Sequence, residues 1–140
     1  MSQLLGKLAG AAIVTLLAGA CDGTGPEFVE PCSGAIQLGL RHEPFAFEWS
    51  PRCGISSLTV TALPATPEGA ERIVWAFQVP ERTPLGPPVT YGEAPSRATV
   101  WTEPEPLVNG VRYRVAVAYL VGGDVATASG ELTFPYFLPD

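Results

Sequence analysis

The sequence predicts an all-β domain, folded as an antiparallel two-sheet sandwich. Short stretches of alternating apolar and polar residues are separated by turn signals at intervals of about 8–12 residues. The chain carries 15 glycines and 15 prolines together with many valines and threonines, a composition that favours short strands joined by turns. Beyond the first 20 residues no segment has a sustained helical period, and residues 21–140 suffice for one domain with its own core.

The first two strands are predicted to form a β-hairpin. Apolar side chains alternate along residues 35–40 and again along residues 45–50, and the polar stretch 41–44 between them ends in a proline. A four-residue loop over 41–44 places Leu40 opposite Phe45. The same register opposes two further pairs, Leu38 with Phe47 and Ile36 with Trp49.

This register also predicts a disulfide. Cys32 and Cys53 fall opposite one another on the core side when the hairpin pairing is continued outward. A bond between them closes a loop of about twenty residues, which contributes about 3 kcal/mol in the chain-entropy model. A disulfide that involves Cys21 would leave unexplained why Cys32 and Cys53 fall opposite one another in the hairpin register. A zinc site is disfavoured because two cysteines and one distant histidine do not supply four ligands.

The remaining strands are predicted from the same alternation. They cover residues 55–62, 73–79, 89–91, 98–102, 111–120 and 125–134. In the second of these, Ile73 and Trp75 are expected on one face. The stretch Pro80–Pro88 holds four prolines and is expected to be a loop or a sheet edge. Gly122-Gly123 is expected to form a two-residue hairpin turn with positive φ at both positions. The aromatic residues expected in the core are Phe45, Phe47, Trp49, Trp75 and Phe77.

The N-terminal segment has the pattern of an export signal. Lys7 precedes thirteen mainly apolar residues, 8–20, which end in small residues before Cys21. The run is short for a membrane span, which needs about 20 apolar residues. Residues 1–20 are therefore interpreted as a signal peptide, residues 21–31 as a flexible tether and residues 32–140 as the sandwich domain.

Residues 18–21, Ala-Gly-Ala-Cys, resemble the lipobox of bacterial prolipoproteins, with alanine where that family prefers leucine. The resemblance implies that Cys21 carries lipid and begins the mature chain, so that acyl chains on Cys21 hold the protein in a membrane of the cell envelope. Lipid on Cys21 also leaves Cys32 and Cys53 as an even pair. Two alternatives stay open: a secreted protein cleaved at the same small residues, and an uncleaved helical anchor.

A second resemblance concerns the domain itself. Trp49 lies late in the second strand, and residues 106–117 read Pro-Leu-Val-Asn-Gly-Val-Arg-Tyr-Arg-Val-Ala-Val. Over residues 34–134 the chain resembles fibronectin type III and immunoglobulin-like domains, whose Leu–Gly–Tyr–Val–Val run this segment matches. The resemblance implies that Leu107 caps the core and that Tyr113 is a corner tyrosine bonded to backbone just upstream. The hairpin disulfide and the long proline-rich stretch depart from that pattern.

The charge balance limits the classes of partner. Lys7 is the only lysine, so residues 21–140 hold seven arginines against fourteen acidic residues. Nucleic acid is excluded as a partner because phosphates require clustered positive charge. The same balance argues against electrostatic docking on anionic lipid.

No catalytic, cofactor or metal site is predicted. His42, the only histidine, lies in the hairpin loop and is expected to be solvated. Glu103 and Glu105 flank a proline and are expected in a solvated loop, because glycoside hydrolysis needs carboxylates on opposite sides of a cleft. The sequence contains no calcium-binding or phosphate-binding loop motif.

The one candidate ligand patch is aromatic. Tyr91 and Trp101 flank the proline-rich region, and side by side at one end of the sandwich they would stack on a glycan or a peptide. Tyr136 and Phe137 are expected to be exposed. The sequence favours a non-catalytic, lipid-anchored sandwich that acts as an interaction or structural module, with an envelope protein or a glycan as partner. The alternative is a carbohydrate-binding or hydrolytic accessory domain that uses residues 80–106.

Overall fold

The computed structural model describes residues 29–139, which form strands, turns and loops. Within this range there is no helix long and apolar enough to cross a membrane. The strands are β1 (Gly34–Ala35), β2 (Gln37–His42), β3 (Phe45–Ser50), β4 (Ser57–Ala62), β5 (Arg72–Gln78), β6 (Val89–Thr90), β7 (Thr99–Thr102), β8 (Arg112–Val121) and β9 (Val125–Pro135). The export signal, Cys21 and residues 22–28 of the predicted tether lie outside the described residues.

The strands form two sheets, as predicted. One sheet has six strands in the order β1-β9-β8-β4-β5-β7, and the other has three in the order β2-β3-β6. The prediction of purely antiparallel pairing is wrong at one edge, where Gly34 and Ala35 of β1 pair in parallel with Ala128 and Ser129 of β9. The reason is that the chain enters alongside β9 in the same direction and crosses at Ile36 to begin the second sheet. A Cβ on Gly130 would clash with the Ile36 carbonyl, so this crossing depends on a glycine.

The two sheets share one apolar core. Leu58, Trp75 and Val115 of the large sheet and Phe47 of the small sheet are each completely buried. Trp49, Phe77 and Val117 are nearly so, and Phe45 is half-buried against the same cluster. The predicted core aromatics are therefore confirmed, and burial of this apolar surface is the main term that stabilises the domain.

The predicted register of the first hairpin is wrong by two residues. Leu40 pairs with Phe47, Leu38 with Trp49 and His42 with Phe45, so the turn consists of Glu43 and Pro44 alone. Arg41 and His42 extend the strand instead of forming the loop. A shift of two residues keeps every side chain on its predicted face, because side chains alternate with a period of two.

Two other local expectations also need correction. A register shift puts Val60 opposite Trp75 but Thr61 opposite Ile73, so Val74 is the extra residue of a bulge and Ile73 faces solvent. At the last hairpin Val121 pairs with Val125, so the turn has three residues and not two. Gly122 and Gly123 do adopt positive φ, at 67° and 87°.

The strands run along one axis, and each loop lies at or near one of two ends. The proximal end, where the chain enters at Val29, comprises residues 29–33, 50–54, 79–86 and 122–124. The distal end comprises residues 43–44, 63–71, 91–93, 103–111 and 136–139. Val29–Pro31, assigned to the tether by the sequence, already contact the domain: Val29 lies against Gly86, and Pro31 forms a bridge with Gly54.

Candidate functional site

The proximal end is closed by a disulfide. Cys32 and Cys53 are bonded, with their Cα atoms 4.8 Å apart, and both are buried. The pairing is confirmed, but the bond lies outside the β2–β3 ladder that predicted it. Its frame is a short parallel bridge: the Cys32 N–H donates to the Gly54 carbonyl at 2.8 Å, and the Gly54 N–H donates to the Glu30 carbonyl at 2.6 Å.

Neighbouring groups hold this frame in place. The Trp49 Nε1–H donates to the Cys53 carbonyl at 2.8 Å, so a core side chain orients the segment that carries the disulfide. Position 54 requires glycine, because a Cβ there would overlap the Pro84 ring. The Tyr119 hydroxyl donates to the Glu81 carbonyl at 3.1 Å and ties the 79–86 loop to β8. An open groove of about 450 Å³ lies between these elements, lined by Val29, Pro31, Glu81, Arg82, Pro84 and Tyr119.

The distal end is closed by aromatic side chains instead. Six rings from both sheets and from the loops between them pack with neighbouring centroids 5.4–6.5 Å apart; they belong to Phe45, Phe47, Tyr91, Tyr113, Phe134 and Tyr136. Most pairs are tilted or edge-to-face, which is the favoured geometry of aromatic contacts. We call this set the aromatic cluster.

Tyr91 belongs to this cluster and not to an exposed patch. Its ring packs edge-on against Trp75 at 5.0 Å, and its hydroxyl donates to the Glu105 carbonyl at 2.6 Å. Burial, followed by the charges of Tyr113 and Glu105, raises the pKa of Tyr91 to about 12. The neutral hydroxyl is thus the form that the fold favours.

Trp101 lies elsewhere. It is the extra residue of a bulge in the edge strand β7, between the pairs Phe77–Val100 and Ala76–Thr102, and 67% of its surface is exposed. The edge strand belongs to the large sheet, whereas Tyr91 follows β6 of the small sheet. Among the described residues no ring contact joins Tyr91 and Trp101, so the two do not form the aromatic pair that the sequence suggested.

Tyr113, at the start of β8, has the surroundings that the family resemblance implies. It is 2% exposed, and its hydroxyl accepts a hydrogen bond from the Val108 N–H at 2.8 Å, five residues upstream. Leu107 is half-buried against the core. The hydroxyl therefore fixes the turn that leads into β8.

The ionisable groups singled out by the sequence are engaged in surface contacts or are solvated. His42 is exposed at the end of β2. Glu105 pairs with Arg72, while Glu103 is exposed nearby. The Arg114 guanidinium bonds Glu71 at 2.6 Å and lowers the pKa of that carboxyl. Among residues 29–139 there is no group of three side chains suited to holding a metal ion.

The structure also reveals an exposed apolar group that the sequence indicated only in part. Val108, Phe137 and Leu138 lie at the distal end with 57%, 67% and 59% of their surfaces exposed. Phe137 was expected to be exposed, but Val108 lies 29 residues earlier in the chain. Only the pairing of β8 with β9 brings the two segments together. We call these three side chains the distal apolar patch.

Charge differs between the two ends. At the distal end, or within three residues of it along a strand, there are six glutamates and four arginines: Glu43, Glu68, Glu71, Glu93, Glu103, Glu105, Arg41, Arg72, Arg112 and Arg114. At or beside the proximal end the charges balance, with Glu30, Glu81 and Asp124 against Arg52, Arg82 and Arg97. The distal end therefore carries more acidic than basic groups, whereas the proximal end is balanced.

No protein-family model, curated protein or solved structure matches this chain.

Proposed function

We propose that this protein is a lipid-anchored component of the cell envelope, held in a membrane by acyl chains on Cys21. Its domain is a fibronectin type III or immunoglobulin-like sandwich that acts as a non-catalytic interaction or structural module. The observation that carries the proposal is the buried Cys32–Cys53 disulfide. Structural disulfides form and persist in oxidising compartments outside the cytosol, which is where an export signal delivers a chain.

The position of the disulfide supports an anchor at the N-terminus. It lies at the proximal end, three residues after Val29, where the described chain enters the domain. Seven residues separate Cys21 from Val29, so the eight steps between the two Cα atoms span at most about 29 Å. An anchor at Cys21 therefore keeps the proximal end near the membrane and leaves the distal end farthest from the point of attachment.

The strand order supports the family assignment. In the immunoglobulin fold, strands A, B, E and D form one sheet and strands G, F and C form the other, with C′ added beside C in the variable type. Here β2-β3-β6 occupy the places of A, B and E, and β9-β8-β4-β5 occupy those of G, F, C and C′. The hydrogen bond between Val108 and Tyr113 at the start of β8 has the position of a tyrosine corner. Strand β7, at the edge beside β5, is an addition to that plan.

The ionisable side chains of this region are occupied by contacts within the domain, which favours a binding function over a catalytic one. Tyr91 donates its hydroxyl to a backbone carbonyl, and Glu105 pairs with Arg72. The alternative function, carbohydrate binding or hydrolysis by residues 80–106, would have to rely on Trp101 without Tyr91, because the Tyr91 ring packs in the aromatic cluster. We therefore favour a protein partner in the envelope.

The test is membrane fractionation of the full-length chain in its native host. Cys21→Ser should move the protein from the detergent-soluble membrane fraction to the aqueous fraction, or leave it as unprocessed precursor. The matched control is the double variant Cys32→Ser, Cys53→Ser, which should stay with the membrane because it retains Cys21. Equal fractionation of Cys21→Ser and the natural sequence, with residues 1–20 removed from both, would refute the lipid anchor.

A further inference from the structure

The distal end displays apolar surface that the fold does not use. The large side chains of Val108, Phe137 and Leu138 are each more than half exposed, although Tyr136, next to Phe137, packs inward on Phe45 at 5.4 Å. Exposed apolar groups that lie together on one end of a domain are typical of a binding surface, whereas scattered single residues are not.

The distal apolar patch is held in a fixed arrangement. The Gly110 N–H donates to the Tyr136 carbonyl at 2.7 Å, and the Tyr136 N–H donates to the Val111 carbonyl at 2.9 Å. The Asn109 Oδ1 accepts a hydrogen bond from the Leu138 N–H at 2.9 Å. The 107–111 turn and the 136–138 segment therefore form one unit, and a partner would meet a surface that is already ordered.

The end of the domain that carries this patch has an excess of acidic groups. Arg41, Arg72 and Arg114 are in ion pairs, so within residues 29–139 Arg112 is the distal arginine outside an ion pair. Four distal glutamates have no ion-pair partner within the same range: Glu43, Glu68, Glu93 and Glu103. A second copy of the chain would present the same acidic surface, and like charges facing each other oppose association.

We infer that the distal end is a docking surface for another protein, one that presents an apolar side chain within a rim of lysine or arginine. Phe137, Leu138 and Val108 provide the apolar contact, and the unpaired glutamates attract the basic rim and orient it. This inference rests on the proposed function only for its geometry, because an anchor at Cys21 leaves the distal end farthest from the point of attachment. The contact itself does not require the lipid.

The test compares two equally exposed aromatic positions. Phe137 and Trp101 are each 67% exposed, but Trp101 lies on the edge strand β7, outside the distal patch. A photoreactive phenylalanine analogue is placed at position 137 or at position 101 of the full chain in its native host, and the cross-linked proteins are identified and purified. We expect an adduct specific to position 137.

Binding of the purified partner to the full mature chain then tests whether the contact is both apolar and electrostatic. Phe137→Ser should weaken the affinity at least about tenfold, because exposed aromatic anchors dominate interfaces, while Trp101→Ser should leave it unchanged. Raising salt from about 50 to about 300 mM should weaken it further, since exposed charges are screened. No adduct, equal adducts at both positions, an adduct with a second copy, or binding insensitive to salt or to Phe137→Ser would each overturn the inference.

The two proposals fail separately. If processed Cys21→Ser still fractionates with the membrane but the adduct at position 137 forms, the lipid anchor is wrong and the docking surface stands. If fractionation changes as expected and position 137 yields no specific adduct, the anchor stands and the docking surface is wrong.

Discussion

The two ends of this domain are closed by different means. At the proximal end one covalent bond, Cys32–Cys53, joins the start of the domain to the segment after β3. Among the described residues no disulfide cross-links the distal end, where the aromatic cluster fills the space between the sheets instead. The proximal end therefore depends on the redox compartment, whereas the distal end depends on packing and hydrogen bonds.

The difference also bears on function. The proximal end lies next to the N-terminal segment and its charges balance. The distal end closes its interior with rings that belong to both sheets and still exposes Val108, Phe137 and Leu138. The interior of the distal end is closed without those three side chains, which leaves them available to a partner. The proposed anchor and the proposed docking surface therefore lie at opposite ends.

The largest expected effect is at the distal end. Phe47 is completely buried and its ring contacts Phe45, Tyr91 and Phe134. Phe47→Ala should lower the free energy of unfolding by about 3–5 kcal/mol, because it removes a large apolar side chain and leaves a cavity. Urea unfolding measures the change, with Trp101→Ala as the exposed aromatic control at about 0.5 kcal/mol or less. Equal effects would show that the aromatic cluster does not hold the two sheets together.

The next effect is at the proximal end. The Cys32–Cys53 bond joins residues 21 apart, so the Cys32→Ala, Cys53→Ala double variant should lose about 3 kcal/mol of unfolding free energy. Reductant should produce a comparable loss in the natural sequence and none in the double variant. If reductant destabilised the double variant as much as the natural sequence, the Cys32–Cys53 bond would not be what stabilises the proximal end.

A smaller effect should come from the Tyr113 hydroxyl. Tyr113→Phe keeps the ring but leaves the Val108 N–H without its acceptor, and it should cost about 1 kcal/mol in urea unfolding. Tyr136→Phe is the matched control, because no hydrogen bond to its hydroxyl is found within residues 29–139. If the two variants lose equal stability, the corner contact is not what fixes the turn.

The smallest effect at neutral pH is expected from the ionisation of Tyr91. Its pKa in the folded protein is about 12 against a usual 10. The folded pKa is raised, so the stabilisation is fully present below pH 10 and is lost as the pH rises toward 12. Urea midpoints measured from pH 8 to 11.5 should fall less steeply for Tyr91→Phe than for the natural sequence. Parallel curves would mean that Tyr91 ionises as freely in the folded chain as in the unfolded one.

The faces of the strands could be predicted because the alternation has a period of two. The register of the first hairpin was wrong by two residues, yet Leu38, Leu40 and Phe47 still face the core. The turn length could not be predicted, since Arg41 and His42 suit an exposed strand as well as a loop. The bulge at Val74 was also hidden, because residues 73–77 are all apolar and no polar residue marks where the alternation shifts.

The candidate sites were harder to predict because spacing along the chain does not say which sheet a strand joins. Tyr91 follows a strand of the small sheet and Trp101 lies in the large one, so their nearness in sequence did not make them a pair. Val108 and Phe137, far apart in sequence, lie at the same end because Tyr113 pairs with Phe134 in the β8–β9 ladder. The disulfide was predicted because Cys32 and Cys53 are each in phase with the inward-facing residues of the neighbouring strand and fall opposite one another in the hairpin register. Its bridge nevertheless lies beyond that hairpin's ladder.

Mass spectrometry of the intact mature protein from its native membrane tests the lipid anchor and the disulfide together. We expect a chain that begins at Cys21, carries the mass of attached acyl groups on that residue, and lacks two hydrogens because Cys32 and Cys53 are joined. A cytoplasmic chain that retains Met1, with Cys32 and Cys53 as free thiols, would contradict both.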